Sequence, residues 1–126
     1  MENDNIVELV KKYLKILNKP ENNRCKELFD YTVGKKYFKV IACSDNPRIM
    51  NNKVVEAFVE KTTGDVYMPA SWNAPAKNVR YNLKKDLGFL EMIINKTSGY
   101  LYQDVVNKYK KLNKGDLKWK KNMNVI

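Results

Sequence analysis

The chain has no histidine, and that absence excludes more than any residue present. It removes imidazole acid–base catalysis, Ser-His and Cys-His nucleophile pairs, and nearly all zinc and iron sites. Cysteine is almost absent too. Cys25 and Cys43 are too few to staple a secreted scaffold and lack metal-ligand spacing. Acids are short, fourteen against twenty-four basic groups, and they lie scattered beside lysines rather than in a pair suited to proton transfer. A hydrolytic or metal enzyme is thereby disfavoured, and the expectation is a non-enzyme without a cofactor. No apolar run approaches the roughly 20 residues needed to span a bilayer. The opening MENDNIVELV is acidic where an export signal would be basic, so the expected compartment is the cytoplasm.

What is present reads as ordinary globular material. At 126 residues, 44% hydrophobic and 30% charged, the chain suits one domain that hides about two-thirds of its unfolded surface. The net charge of +10 is uneven. Residues 1–63 carry twelve basic and nine acidic groups; residues 64–126 carry twelve and five. A field of that sign concentrates nucleotides, nucleic acids or acidic proteins. It is equally what a lysine-rich coding bias produces with no function attached.

Periodicity predicts an α+β fold. Ile6, Leu9, Val10, Tyr13, Leu14 and Leu17 share one helical face over residues 4–18. Pro20 and Glu21 suit the start of a second helix, with Cys25, Leu28, Phe29 and Thr32 inward and Gly34 as a left-handed C-cap. From Lys36 the period becomes two. Phe38, Val40 and Ala42 alternate with Tyr37, Lys39, Ile41 and Cys43, and Val55, Ala57 and Val59 alternate with Val54, Glu56, Phe58 and Glu60. Lys61-Thr62-Thr63-Gly64-Asp65 is a tight turn into a third strand, DVYMP, and loops this short imply an antiparallel meander. Leu83, Leu87, Leu90 and Ile94 mark a helix of residues 84–95. Leu101, Val105, Tyr109 and Leu112 mark a last one, before a basic tail of residues 113–126 with Trp119.

The loop of residues 70–82 gathers the residue types that suit a nucleotide. Trp72 offers a π-face on which a base stacks, worth about 1–3 kcal/mol in nucleic-acid systems. Arg80 offers a fork for phosphate oxygens, Lys77, Lys84 and Lys85 add point charges, and Asn82 can pair with a base edge or ribose hydroxyl. The plainer alternative is that Trp72 plugs the end of the sheet while Arg80 pairs with Asp65 or Asp86. Arg48 either lines the same sheet edge or is simply solvated.

Two strings carry a resemblance: KYFKVIACS and VVEAFVEKTTGDVYMPASWNAPAKNVR. Their pattern, a strand entering with Lys-Tyr, a FV-[DE]-K-x-T-G-D-[IV]-Y hairpin and A-S-W-x-A-P-A-K-x-x-R, resembles a group of small phage proteins. Over about residues 36–83 the chain is similar to prophage-encoded, Clostridium-type members of the first anti-Thoeris family, the cyclic ADP-ribose sponges. The resemblance implies a phage protein acting in the bacterial cytoplasm. It would bind glycocyclic ADP-ribose signals made by TIR enzymes, hold them without cleavage, and so keep the downstream effector silent. It also implies homo-oligomers, dimers that assemble as a hexameric trimer of dimers, and in some members cyclic trinucleotide binding. The family's pocket uses stacking aromatics, arginines and an asparagine at a protomer interface. Trp72, Arg80 and Asn82 match those types here, with Lys77, Lys84, Ser71 and Arg48 as further candidates and Trp72, Phe58 or Tyr81 as the clamping ring. A basic nucleic-acid-binding accessory protein, built on the second half, is the alternative; an inhibitor that masks a host enzyme by direct contact also stays open.

Overall fold

Helix α1 (Glu2–Leu17) exists because its apolar stripe has a sheet to cover. Ile6, Val10, Tyr13, Leu14 and Leu17 are buried in the core, and Leu9 is half-buried beside them. The structure, a computed structural model, describes residues 2–20, 27–44 and 53–115. Strands β1 (Glu27–Val33), β2 (Tyr37–Ser44), β3 (Lys53–Glu60), β4 (Asp65–Tyr67) and β5 (Tyr81–Asn82) follow, then α2 (Leu83–Lys96) and α3 (Gln103–Gly115). The strands form one antiparallel meander in the order β1-β2-β3-β4-β5. The α+β expectation holds, with five strands where three were expected.

β1 corrects the sequence reading. Residues 27–33 are a strand, not the body of a second helix, and residues 21–26, Cys25 included, lie outside the described residues. Leu28, Phe29 and Thr32 fit helical spacing, but Phe29 and Tyr31 equally alternate with Leu28, Asp30 and Thr32. Pairing with β2 decides between them: seven register pairs run from Glu27↔Ser44 to Val33↔Phe38. Gly34 is therefore a hairpin residue, donating its N–H to the Tyr37 carbonyl at 2.9 Å, and not a left-handed helix cap.

Strand β3 also departs from strict alternation. Val40 pairs with Ala57 and Ile41 with Val55, so Glu56 is an extra residue in a β-bulge. The bulge turns Glu56 toward the helices, where its Oε2 accepts the Tyr100 hydroxyl at 2.6 Å. The Tyr13 hydroxyl stands 2.6 Å from that of Tyr100. Tyr100's single proton goes to Glu56, so Tyr13 donates to Tyr100.

The Thr63-Gly64 turn is as expected, and Gly64 has φ 78°. It needs glycine twice, because a Cβ there would sit 3.1 Å from Ile6 Cδ1 of α1. Beyond the long loop, β5 pairs Tyr81 with Val66 and Asn82 with Asp65, ending the loop two residues before the sequence reading did. Asn82 caps α2, accepting from the N–H groups of Lys84 (2.9 Å) and Lys85 (3.2 Å). Of the α2 stripe, Leu83, Leu90 and Ile94 are buried and Leu87 is half-buried, while Ile93, outside the expected stripe, is buried as well. In α3 the stripe shifts: Val106 is buried, whereas Leu112 is exposed.

Candidate functional site

The helices cover one face of the sheet with Phe38, Val40, Ala57, Val59, Val66 and Tyr81. The other face carries rings. Lys39 pairs with Phe58, and Phe58 with Tyr67, in a row across three strands. Tyr37 meets Phe58 edge-on with centroids 5.8 Å apart and Tyr67 at 6.0 Å. Phe58 is buried beneath this group, so it forms a floor rather than a clamp.

The loop of residues 68–80 folds back over that face. Pro69 and Pro75 make an isolated bridge, Ala76 N–H donates to the Met68 carbonyl at 2.7 Å, and the Ala70 and Ser71 N–H groups both point at the Ala74 carbonyl. Trp72 at the tip is 46% exposed. The Lys39 ammonium lies 4.6 Å from its ring centroid and 3.4 Å from Asn73 Oδ1. The indole N–H has no partner among the described residues. Beside Trp72 runs a groove of about 300 Å³, between Lys53, Val54 and Val55 on one side and Pro69, Ser71 and Trp72 on the other.

Arg80 is elsewhere. It is 7% exposed. Its Nε donates to the Leu101 carbonyl at 2.8 Å, and Nη1 faces the Lys77 carbonyl (2.9 Å), the Asn78 carbonyl (2.8 Å) and Gln103 Oε1 (2.7 Å). The expected pairing with Asp65 or Asp86 is replaced: those carboxylates serve Asn82, which gives its Nδ2 hydrogen to Asp65 at 2.8 Å and its backbone N–H to Asp86 at 2.9 Å. Tyr81 is fully buried, with its hydroxyl on the Tyr100 carbonyl at 2.6 Å. Burial pushes that phenol's pKa up, with a further rise from Asp86.

Of the residues singled out in the sequence, Trp72 and Ser71 therefore share the groove. Lys77 is exposed at the loop's base, and Lys84 is exposed in the first turn of α2. Arg80, Asn82 and Tyr81 are engaged within the fold and share no hydrogen-bond partner with Trp72 among the described residues. Arg48 lies outside the described residues. Two groups were missed. Lys39 and Lys53 flank the site from β2 and β3. Lys39 is an outward position of the alternation, whereas strict alternation sets Lys53 with the inward Val55, and only the bulge at Glu56 turns it outward beside Cys43. Tyr67's phenol pKa is raised, first by partial burial and then by Glu60 and Asp65, which leaves it a neutral ring and donor.

Chemically, the site offers an indole face, an indole N–H without a partner among the described residues, ammonium groups and a hydroxyl, which suits stacking and anion binding. Among the described residues no group of three acids or cysteines is spaced to hold a metal, and no helix is long and apolar enough to cross a membrane. A model described as "Family of unknown function (DUF7717)" matches residues 3–103, a stretch that contains α1 but for its first residue, the whole sheet and α2. No curated protein and no solved structure matches the chain.

Proposed function

The chain thus belongs to DUF7717, a family of unknown function, and we propose that it is a non-enzymatic binder of a phosphate-bearing nucleotide. The base stacks on Trp72, and Lys39, Lys53 and Ser71 meet the phosphates and ribose. One observation carries this reading: a half-exposed indole with an ammonium 4.6 Å over its ring, on the rim of the groove. That lysine fixes positive charge within reach of any base laid on the ring. The finer identity rests on the resemblance over residues 36–83: the ligand is a cyclic ADP-ribose-type signal, sequestered intact so that TIR-based Thoeris immunity is not triggered. Cyclic oligonucleotides are a further ligand class under the same resemblance. A chain without histidine suits holding better than cleaving.

Sequestration needs tight binding, about −12 kcal/mol for a nanomolar ligand. An open groove of about 300 Å³ is at the small end for a nucleotide. A second copy that closes it, in a dimer or a trimer of dimers, is therefore part of the proposal.

Isothermal titration with cyclic ADP-ribose isomers tests the reading, followed by denaturation and recovery of the ligand. Wild type binds and returns intact ligand, and Trp72→Ala weakens binding roughly 5–150-fold, the equivalent of one lost base stack. No binding, a cleaved product, or an unaffected Trp72→Ala variant overturns it.

A second reading has its own observation. Tyr37, Phe58 and Tyr67 form a connected set of rings on one sheet face, and Lys39, which lies over both Phe58 and Trp72, extends it to the indole beside Lys36, as single-stranded nucleic-acid platforms do. It predicts affinity for oligonucleotides that falls with salt at about 0.7 log units per phosphate contacted for each log unit of salt. A doubly charged small ligand gives a much shallower slope.

A further inference from the structure

We propose that Arg80 is a positioning residue: it serves the nucleotide site by fixing the loop that carries Trp72, without touching the ligand. The inference rests on Trp72 being the stacking surface, as proposed above. Its grounds are the guanidinium's partners. The Arg80 backbone is already pinned to the sheet, its N–H donating to the Val66 carbonyl at 2.8 Å. From that fixed point the side chain gathers two separate pieces of chain. One is the base of the Trp72 loop, through the carbonyls of Lys77 and Asn78. The other is the α2–α3 connection and the start of α3, through the Leu101 carbonyl and Gln103 Oε1.

The two loop carbonyls converge on one nitrogen because Asn78 is left-handed, with φ 75°. Asparagine tolerates that region better than most residues but still does not favour it. A buried cation lying between the carbonyls offsets that preference. Among the described residues Arg80 pairs with no carboxylate, so its charge is balanced by carbonyl and amide dipoles, and withdrawing one matters. The tip of the loop is held separately by the Ala70, Ser71 and Ala76 bonds and the Pro69–Pro75 bridge. Loosening the base lets these tip bonds open more often and frees Trp72 from Lys39.

The connection is itself anchored: Tyr81 donates to the Tyr100 carbonyl, and Tyr100 to Glu56. Arg80 thus refers the position of Trp72 to a rigid core. Arginine is required for this because only its fork reaches acceptors on both sides at once; lysine offers a single ammonium.

Three variants test it: Arg80→Lys, Gln103→Ala, and Ile93→Val as a core control that lowers stability without approaching the loop. The readouts are amide hydrogen exchange of residues 70–76 and Trp72 emission in a Trp119→Phe background. Titration with cyclic ADP-ribose is the third. Arg80→Lys and Gln103→Ala speed exchange at Ala70, Ser71 and Ala76 about tenfold, as local opening without global unfolding does. They also redden the indole emission and weaken binding about tenfold. Ile93→Val changes none of these at matched stability. Equal loop effects in the control, or an undisturbed loop in both Arg80→Lys and Gln103→Ala, overturn the inference. If wild type fails to bind the nucleotide while the loop readouts behave as stated, the functional reading falls and the positioning role stands.

Discussion

Asn82 shows how completely one side chain can be committed to a fold. Its Oδ1 accepts two helix N–H groups, and its Nδ2 donates to the Thr63 carbonyl at 2.9 Å and to Asp65. An amide has two donor hydrogens and two lone pairs, and all are engaged here. Losing the cap costs about 1 kcal/mol, and stranding the Thr63 and Asp65 acceptors adds a similar amount. Asn82→Ala is therefore expected to lower stability by roughly 2 kcal/mol in urea denaturation, while nucleotide affinity below the transition stays within about twofold. Asn82→Asp separates the two contributions: it keeps the cap but sets a carboxylate against Asp65, so its loss should shrink with added salt. A large loss of affinity in folded Asn82→Ala would return this residue to the ligand site. Arg80 teaches the same lesson by another route. Its type was legible as a phosphate fork, but its acceptors are three backbone carbonyls and an amide, and carbonyls leave no mark in a sequence.

At the scale of elements, β1 is the exposed edge of the sheet, and the edge is guarded. Asn18, just past α1, donates to the Phe29 carbonyl at 3.1 Å and accepts its N–H at 2.9 Å, occupying the place of a neighbouring strand. Asp30 takes the next outward N–H, that of Tyr31, at 2.8 Å. Leu28 and Val33 are largely exposed on this strand, so an unguarded edge would invite pairing with other chains. Asn18→Ala is expected to increase light scattering on concentration well beyond wild type, with β-rich aggregates. Scattering identical to wild type would mean that Asn18 does not protect the edge. What the sequence showed at this scale follows one physical line. α1, α2, β2 and the Gly64 turn were legible because their signals are local: a stripe, an alternation, a glycine between Thr63 and Asp65 in a tight turn. β1 was misread because its pattern satisfies both periods, and its partner strand settles the matter. β5 is two residues long, too short for any period. The Trp72–Lys39 contact joins a loop to a strand thirty-three positions earlier, and no spacing rule spans that gap.

For the whole molecule, pH tests how the core is built. Tyr13 and Tyr100 are both held well above the ordinary phenol value of 10.0. Burial is the main cause in each. For Tyr13 the charge of Glu56 adds to it, and for Tyr100 the neighbouring Tyr13 and then Glu56 do. A phenol that ionises in the unfolded chain at about 10 but later in the fold leaves the folded state holding more protons above that pH. Its contribution is full below pH 10 and declines as pH rises through the window between the two values. With no histidine in the chain, no imidazole titration disturbs the neutral range. Urea midpoints are therefore expected to hold steady from pH 7 to 9 and then fall above about 10. The slope approaches 1.4 kcal/mol per pH unit for each buried phenol. Tyr13→Phe should cut that slope by about one proton. It removes a hydroxyl that only donates and leaves Tyr100 bonded to Glu56. A variant whose stability falls as steeply as wild type would mean that the decline comes from lysines losing charge at the surface, and that the buried Tyr13–Tyr100–Glu56 chain does not govern it.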